Sequence, residues 1–313
     1  MENTSHKQKL IWMQAIGAGI GLIFASLRLP GGDDLYRYYI PFAQGCLDCG
    51  YIPYYGKWFL WPMILLPGYP YAWFVWTIIC VLSFMVLAHH TEVNPFWLMI
   101  SFPMLGQIWL GQIDVLICLG LVVLLRFKNP YWRGVGIILA LMKPQLTVLP
   151  VFLLILLERP RTWVKLLIVP VLVVIASFFV YGLEWPIAWV NNALADLPVH
   201  VWRLASIDVW RFGIFLIPVP LLFRASRKRL LAGLYVSSLA TPFYGVYSYV
   251  IFLLFETKGW SVVLSYGWLL GFLMWRETAM RLAWILPLGM LIYLLYSEWR
   301  ERESSRKIVG SDP

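Results

Sequence analysis

Residues 134–157 read GVGIILALMKPQLTVLPVFLLILL, an apolar run that is interrupted by Lys143 and Pro144. A helix needs about 20 residues to cross a membrane, because the hydrocarbon core is roughly 30 Å thick and each residue rises about 1.5 Å. Proline removes a backbone donor and clashes with the preceding turn. The run therefore predicts either one kinked span or two shorter helices that meet inside the protein, each reaching only about 18 Å.

The rest of the 313-residue chain is equally apolar, with 61% hydrophobic and 13% charged residues and a mean hydropathy of +0.73. This composition excludes a water-soluble globular protein. Further apolar segments lie at 10–29, 71–88, 95–110, 113–127, 163–181, 209–223, 230–255, 260–275 and 279–296. Thr241 and Pro242 interrupt the segment at 230–255 in the same way. We expect an all-α polytopic membrane protein with about ten to twelve helices, some of them broken or short.

Basic residues indicate how the chain is oriented. The 25 Lys and Arg outnumber the 16 Asp and Glu, an excess that is typical of cytoplasmic loops and does not point to nucleic acid. If both interrupted segments return to the side on which they begin, most bases lie in the cytoplasm. We expect both termini there, one transmembrane domain over 1–297 with external loops at 30–57 and 182–208, and a charged, solvated tail over 298–313.

Three ionisable residues fall at or inside apolar segments, where a charge is costly unless it is paired or faces a water-filled cavity. Asp114 and Asp208 stand at the starts of segments, so they are either helix N-caps or functional carboxylates. Lys143 either pairs with a buried carboxylate or binds an anionic ligand beside the helix break.

The external loops supply further candidates. Asp33 and Asp34 follow the first helix, where they are either solvated loop residues or carboxylates able to take a proton from a substrate hydroxyl. In the second loop, His200 and Arg203 could bind a phosphate or have no special role. The pair Cys46 and Cys49 does not complete a four-ligand zinc site, and no phosphate-binding Gly-rich loop or nucleophile elbow occurs. No metal or cofactor is predicted.

Several short motifs occur in a fixed order along the chain. They are Asp34-Leu35-Tyr36, Pro53-Tyr54-Tyr55, Trp61-Pro62, Gly111-Gln112-Ile113-Asp114, Arg133-Gly134-Val135-Gly136, Ala140-Leu141-Met142-Lys143-Pro144, the basic stretch at 158–163, and Thr241-Pro242-Phe243-Tyr244. This order resembles the bacterial polyprenyl-phosphate-dependent mannosyltransferases, glycosyltransferase family 87 of the GT-C superfamily. In that family a Gly-Gln helix start is followed by a Gly-rich helix that runs into Lys-Pro.

The resemblance implies a GT-C type enzyme in a bacterial cell membrane. It would transfer a sugar, mannose by preference, from a polyprenyl phosphate donor to a lipid-linked or glycan acceptor on the external face. Asp34 is the implied base, with Asp33 as the alternative. The expected substrate-binding residues are Gln112 and Lys143 at motif positions, Asp114 and Tyr247 beside motifs, and His200 and Arg203 in the second loop. Thr241 and Pro242 fall where the family usually has a Ser-Pro element near the membrane surface. Family members often carry a histidine shortly after that element, but here residues 246–249 read VYSY.

An inverting transfer of this kind requires no metal, because protein cations can neutralise the phosphate that leaves. Two other functions remain open. A transporter or flippase for a lipid-linked or anionic substrate also uses broken helices that meet near a buried charge. A membrane scaffold without catalysis is the third interpretation.

Overall fold

The computed structural model describes residues 2–44, 61–195, 208–242 and 244–309, and within these ranges the chain is helical with no β-strand. The all-α prediction is therefore confirmed for this part of the chain. The first helices are α1 Glu2–Arg28, α2 Ile40–Ala43, α3 Tyr71–Thr91, α4 Pro95–Met99, α5 Phe102–Leu110, α6 Asp114–Arg126, α7 Pro130–Ala140 and α8 Pro144–Leu156. They are followed by α9 Pro160–Tyr181, α10 Trp185–Ala195, α11 Trp210–Gly213, α12 Ser226–Ala240, α13 Val250–Leu253, α14 Gly259–Ser265, α15 Leu269–Trp275 and α16 Ile285–Val309.

Shorter helical turns connect several of these helices. A π-helix spans Leu35–Tyr39, directly before α2. Tight 3₁₀ turns span Trp61–Leu65, Ile214–Leu216, Val219–Leu222, Val246–Tyr249 and Arg276–Trp284.

Four of the described helices are long and apolar enough to cross a membrane, namely His6–Arg28, Tyr71–Thr91, Pro160–Tyr181 and Thr278–Ser304. Three shorter apolar helical stretches lie at Pro144–Leu156, Trp210–Leu222 and Gly259–Trp275. Length and composition thus agree with a membrane protein. The expected number of ten to twelve membrane helices stays a prediction. It would require the shorter apolar stretches to lie in the membrane as well.

The two predicted helix breaks are present. The run at 134–157 forms α7 and α8, with Lys143 at the N-cap of α8 and Pro144 at its first turn, where the missing N–H has no partner to lose. The run at 230–255 likewise ends its first helix at Ala240 and resumes as the 3₁₀ turn at Val246–Tyr249 and α13. Of the alternatives left open by the sequence, the structure shows the pair of shorter helices in both places.

Other segment boundaries differ from the prediction. The run at 95–110 is two helices, because Ser101 accepts a hydrogen bond from the Met104 N–H and starts α5 anew. The run at 260–275 also forms two helices, α14 and α15. The external loop expected at 182–208 begins with the helix α10. The tail expected from residue 298 is helical as far as Val309, because α16 continues through it.

Close helix contacts bring the helix breaks together. A Cβ on Gly120 of α6 would lie 2.5 Å from the Ala140 nitrogen of α7, so these helices meet backbone to backbone. On α12, a Cβ on Gly233 would lie 2.9 Å from Pro150 of α8. Since α8 starts at the first break and α12 ends at the second, this packing fixes both breaks near the start of α6.

Candidate functional site

Asp34 is held at the end of α1 by a tightly packed glycine turn. A Cβ on Gly31 would lie 2.2 Å from the Trp73 ring, and Gly32 has a φ of +76°, a left-handed conformation that glycine adopts without strain. The Gly32 N–H donates to the Trp109 carbonyl at 2.7 Å. The turn therefore rests on α3 and α5, and it places Asp34 at the N-cap of the π-helix.

Two tyrosines fix the π-helix, an element that often occurs at functional sites. The Tyr36 hydroxyl donates to the Pro70 carbonyl at 2.7 Å and accepts from the Trp73 N–H at 3.1 Å. Burial raises the pKa of Tyr36 despite the bond from Trp73, with a further contribution from Tyr69, so the hydroxyl stays protonated as a donor. On the inner side, the buried Tyr39 hydroxyl donates to Gln112 Oε1 at 2.7 Å.

Gln112 lies at the centre of the site. Gly111 ends α5 with a φ of +69°, and the completely buried Gln112 follows it. The Gln112 carbonyl accepts from Trp76 Nε1 at 3.1 Å and from Gln107 Nε2 at 2.6 Å. These bonds fix the backbone, so the side-chain amide has a defined direction.

The two ends of the Gln112 amide contact opposite charges. Its Nε2 donates to Asp34 Oδ2, and its Oε1 accepts from Lys143 Nζ at 2.6 Å as well as from Tyr39. Because a lysine ammonium can only donate, the bond from Lys143 identifies the oxygen end and turns the NH₂ towards the carboxylate. Gln112 therefore links Asp34 to Lys143.

Asp114 pairs with Lys143 inside the protein. Lys143 is 1% exposed and Asp114 is 0% exposed; Nζ donates to Asp114 Oδ1, and Ser248 Oγ donates to Asp114 Oδ2 at 2.7 Å. The pair confirms the interpretation of Lys143 as the partner of a buried carboxylate. Asp114 is the first residue of α6, whose N-cap is Ile113, so the alternative of Asp114 as an N-cap is wrong.

Tyr247 lies beside this pair. Its ring centroid is 5.2 Å from Lys143 Nζ, within the range of a cation–π contact. A Cβ on Gly245 would lie 2.7 Å from the Tyr247 ring and one on Gly106 3.1 Å from its Cβ, so the two glycines make room for the side chain. Tyr247 is partly exposed, in contrast to its neighbour Ser248.

The site therefore joins four distant parts of the sequence. Its polar groups are Asp34, Gln112, Asp114, Lys143 and Ser248, with Tyr39 and Tyr247 in contact with them. Two carboxylates and one ammonium give the network a net negative formal charge. Asp34 is the half-buried member of the network, whereas Asp114 is sealed inside. A carboxylate held in this way can accept a proton from a bound hydroxyl.

The remaining predicted residues lie elsewhere. Asp33 forms an ion pair with Arg37 at 2.7 Å. Asp208 lies 3.4 Å from Arg281, and α11 has Val209 at its N-cap, so Asp208 does not cap that helix. His200, Arg203, Cys46 and Cys49 lie outside the described residues. Within the described ranges, no group of three or more His, Cys, Asp or Glu could hold a metal ion.

Sequence reasoning missed three residues of the network. Ser248 bonds to Asp114 in the stretch where the resemblance leads one to look for a histidine. Tyr39 and Trp76 both bond to Gln112, at its side chain and its backbone. The position of Ser248 just after the second helix break could have identified it. Tyr39 and Trp76 could not be recognised in this way, because the chain contains many aromatic residues.

Neither models of known protein families, nor curated proteins, nor solved structures give a match to this chain.

Proposed function

We propose that this chain is an integral membrane glycosyltransferase of the GT-C type, related to the polyprenyl-phosphate-dependent mannosyltransferases. It would take a sugar, mannose by preference, from a polyprenyl phosphate donor and pass it to a lipid-linked or glycan acceptor. One observation carries the proposal: the half-buried Asp34 carboxylate is tied through Gln112 to the buried Lys143–Asp114 pair. Three of the motifs that resemble the family thus meet in one network.

The network gives Asp34 the properties of a general base. Gln112 fixes the direction of its carboxylate, and the glycine turn fixes its backbone. Its place directly after α1, a helix long enough to cross a membrane, puts it near a bilayer surface. A base there can be shielded from bulk water and still reach a substrate carried by a lipid.

In this mechanism the acceptor hydroxyl attacks C1 of the sugar. The new bond forms between the acceptor oxygen and C1, while the bond between C1 and the phosphate oxygen breaks and its electron pair stays on the phosphate. The hydroxyl proton goes to Asp34. Attack from the face opposite the phosphate inverts the configuration at C1. No other reactant is needed.

Lys143 takes a positioning role in this scheme. It orients Gln112, and its charge offsets that of Asp114. The direct contact between Lys143 and the donor phosphate that the sequence suggests stays a prediction, since the side chain is 1% exposed. The contribution of His200 and Arg203 to phosphate binding is likewise a prediction. We place the site on the external face, with both termini cytoplasmic.

The test is transfer of labelled sugar from a polyprenyl phosphate donor by the purified protein. Asp34→Asn keeps the shape and can still bond to Gln112 through its carbonyl oxygen, but it cannot take the proton. We expect a rate loss of about 10²–10⁴-fold, the usual contribution of general base catalysis. Asp208→Asn, which changes a surface aspartate beside Arg281 and outside the network, is the matched control and should keep most of the activity. An Asp34→Asn variant as active as wild type would remove Asp34 as the base.

A transporter or flippase is the second candidate, and one observation favours it. The Lys143–Asp114 pair is buried at the α7–α8 break, and broken helices around buried charges are common in transporters. Proteoliposomes distinguish the two functions. Movement of a lipid-linked or anionic substrate across the bilayer without sugar transfer would support the transporter and contradict the enzyme.

A further inference from the structure

The network is negatively charged, and so is the phosphate of the proposed donor. Asp34, Asp114 and Lys143 together carry a net negative formal charge, and Lys143 is buried against Asp114 and Gln112. Such a cluster repels a phosphate. We therefore expect a polyprenyl phosphate to bind a cation beside these described residues, within reach of the sugar that Asp34 serves.

Arg37 meets this requirement among the residues that the structure describes. It lies on the π-helix and forms an ion pair with Asp33, the residue that directly precedes Asp34. Its side chain is 69% exposed, unlike that of Lys143. Arg37 therefore presents a positive charge at the surface where Asp34 lies.

The ion pair with Asp33 uses Arg37 Nε and does not involve the two terminal nitrogens of the guanidinium group. Arg37 Nε lies 2.7 Å from Asp33 Oδ1. Neither terminal nitrogen forms a hydrogen bond to any residue in the described part of the chain. The two terminal nitrogens form the planar fork that binds two phosphate oxygens at once, which lysine cannot do.

We propose that Arg37 binds the donor phosphate through its two terminal nitrogens, and that Asp33 is a positioning residue that holds its Nε. This proposal rests on the proposed function and adds the phosphate contact to the same site. Tyr36 and Tyr39 fix the π-helix from two sides, so Arg37 starts from a fixed backbone position. Asp33, which the sequence analysis gives as the alternative base to Asp34, then helps to bind the leaving phosphate through Arg37.

The arrangement suits an inverting transfer. The acceptor hydroxyl and the leaving phosphate lie on opposite sides of C1, so the base and the phosphate ligand must be close but separated by the sugar. Asp34 is short and bonded to Gln112, whereas Arg37 is long and extends from a neighbouring position on the helix. One helical turn can therefore serve both sides of the sugar.

A binding experiment tests this without requiring catalysis. The full-length protein in detergent is titrated with a polyprenyl phosphate and with the neutral polyprenol of the same chain length. We expect wild type to bind the phosphate on the order of tenfold more tightly, as a charge-assisted bidentate contact allows. Arg37→Ala and Arg37→Gln should both reduce this preference to about one, and Arg37→Lys should keep part of it because it retains charge without the fork.

The matched control is Arg281→Ala, which removes an arginine that also lies beside a surface aspartate, Asp208, at 3.4 Å. It should keep the full preference for the phosphate. Asp33→Asn should lower the preference by less than about threefold, since exposed ion pairs are weak. Arg37→Gln keeps a polar, hydrogen-bonding side chain without the charge. It therefore guards against a loss that merely reflects poor folding, which the thermal midpoint of each variant also reports.

The outcomes separate this proposal from the function on which it rests. Arg37 variants that still prefer the phosphate would overturn the role of Arg37 and leave Asp34 as the base. A wild-type protein that binds both lipids equally would contradict both the Arg37 site and the donor class. Loss of the phosphate preference in the Arg37 variants, with sugar transfer absent even in wild type, would support the phosphate site and contradict the enzyme.

Discussion

Lysine–carboxylate contacts occur at both ends of α3, in opposite surroundings. Near its start, Lys143 and Asp114 are 1% and 0% exposed. Near its end, Lys228 of α12 reaches Glu298 at 2.8 Å and Glu301 at 2.6 Å on α16, but the Glu301 side chain is 66% exposed. The inner pair is isolated from solvent, whereas the outer contacts are partly exposed, with 24% of the Lys228 side chain and 18% of the Glu298 side chain accessible, so similar contacts should contribute differently to stability.

The outer end also has a different architecture. An open cavity of about 460 Å³ lies there, lined by charges of both signs. Arg227 donates to the Thr91 and Phe255 carbonyls at 2.8 and 2.7 Å, close to the ends of α3 and α13, where the helix dipole favours a cation. At the outer end, Arg227 therefore connects the ends of two helices. At the inner end, Lys143 orients the Gln112 side chain.

The largest effect should follow from breaking the inner pair. Lys143→Met keeps most of the length of the side chain but removes the cation that pairs with the buried Asp114 carboxylate, which keeps its bond from Ser248. We expect a loss of about 3–5 kcal/mol in the free energy of unfolding. Denaturant unfolding in detergent, followed by tryptophan fluorescence, measures this loss. The double variant Lys143→Met, Asp114→Leu removes both charges and should recover most of it. If the free energy of unfolding of Lys143→Met lies within about 1 kcal/mol of the wild-type value, the pair is as accessible to water as an exposed ion pair.

An intermediate effect is expected at Gln112. Gln112→Leu is similar in size but removes one hydrogen bond from the buried Tyr39 hydroxyl and one from Lys143. Removing a hydrogen-bond partner from buried polar groups costs about 1–3 kcal/mol. The variant should also lose sugar transfer by more than its stability explains, because the direction of Asp34 is no longer fixed. If transfer survives at the wild-type rate while stability falls, the amide serves the fold and not the base.

The smallest effect should appear at the outer end. Lys228→Met should cost about 0–1 kcal/mol, and less at high salt. Burial tends to lower the pKa of Lys228, but the bonds to Glu298 and Glu301 outweigh it and raise the pKa in the folded protein. The stabilisation is therefore complete below the unfolded value of about 10.4 and is lost as the pH rises through the folded pKa. As the pH rises from neutral, the difference between wild type and variant should close in that alkaline range. At acid pH it should close again when the glutamates protonate, because the bond from Lys228 lowers the pKa of Glu298 in the folded protein. A difference that already closes between about pH 6 and pH 8 would contradict this assignment.

Helix breaks were the part of the fold that could be predicted best. Pro144 and Pro242 each follow a polar residue in an apolar run, Lys143 and Thr241, and this combination is visible in the sequence. Proline alone is not sufficient, since Pro150 and Pro170 lie inside α8 and α9. The break at Ser101 was missed because a serine is tolerated inside membrane helices, and only its bond to the Met104 N–H marks a new start. The helical end of α16 was missed because its charges suggested solvation, while two of them contact Lys228.

For the site, the sequence identified candidate residues but not their contacts. Asp34, Gln112, Asp114 and Lys143 were all selected, from the cost of charge in a membrane or from motif order. Which of them meet depends on how α6 packs against α7 and how the α1 turn fits Trp73, and these contacts involve residues far apart in the chain. Long-range pairing of this kind leaves no periodic trace in one sequence.

The length of α16 has a consequence for how the protein sits in lipid. Its 25 residues span about 38 Å, but the charged residues from Glu298 onward belong outside the roughly 30 Å hydrocarbon core, so the position of the helix along its axis decides which residues contact lipid. Lys228 forms ion pairs with Glu298 and Glu301, which lie one turn apart on α16. At its N-terminal end, α16 continues directly from the 3₁₀ stretch Arg276–Trp284. The helix cannot slide along its axis without breaking these contacts. In bilayers of different thickness, the lipid should therefore adapt to the helix, and hydrophobic mismatch should change the membrane around the protein more than the protein itself.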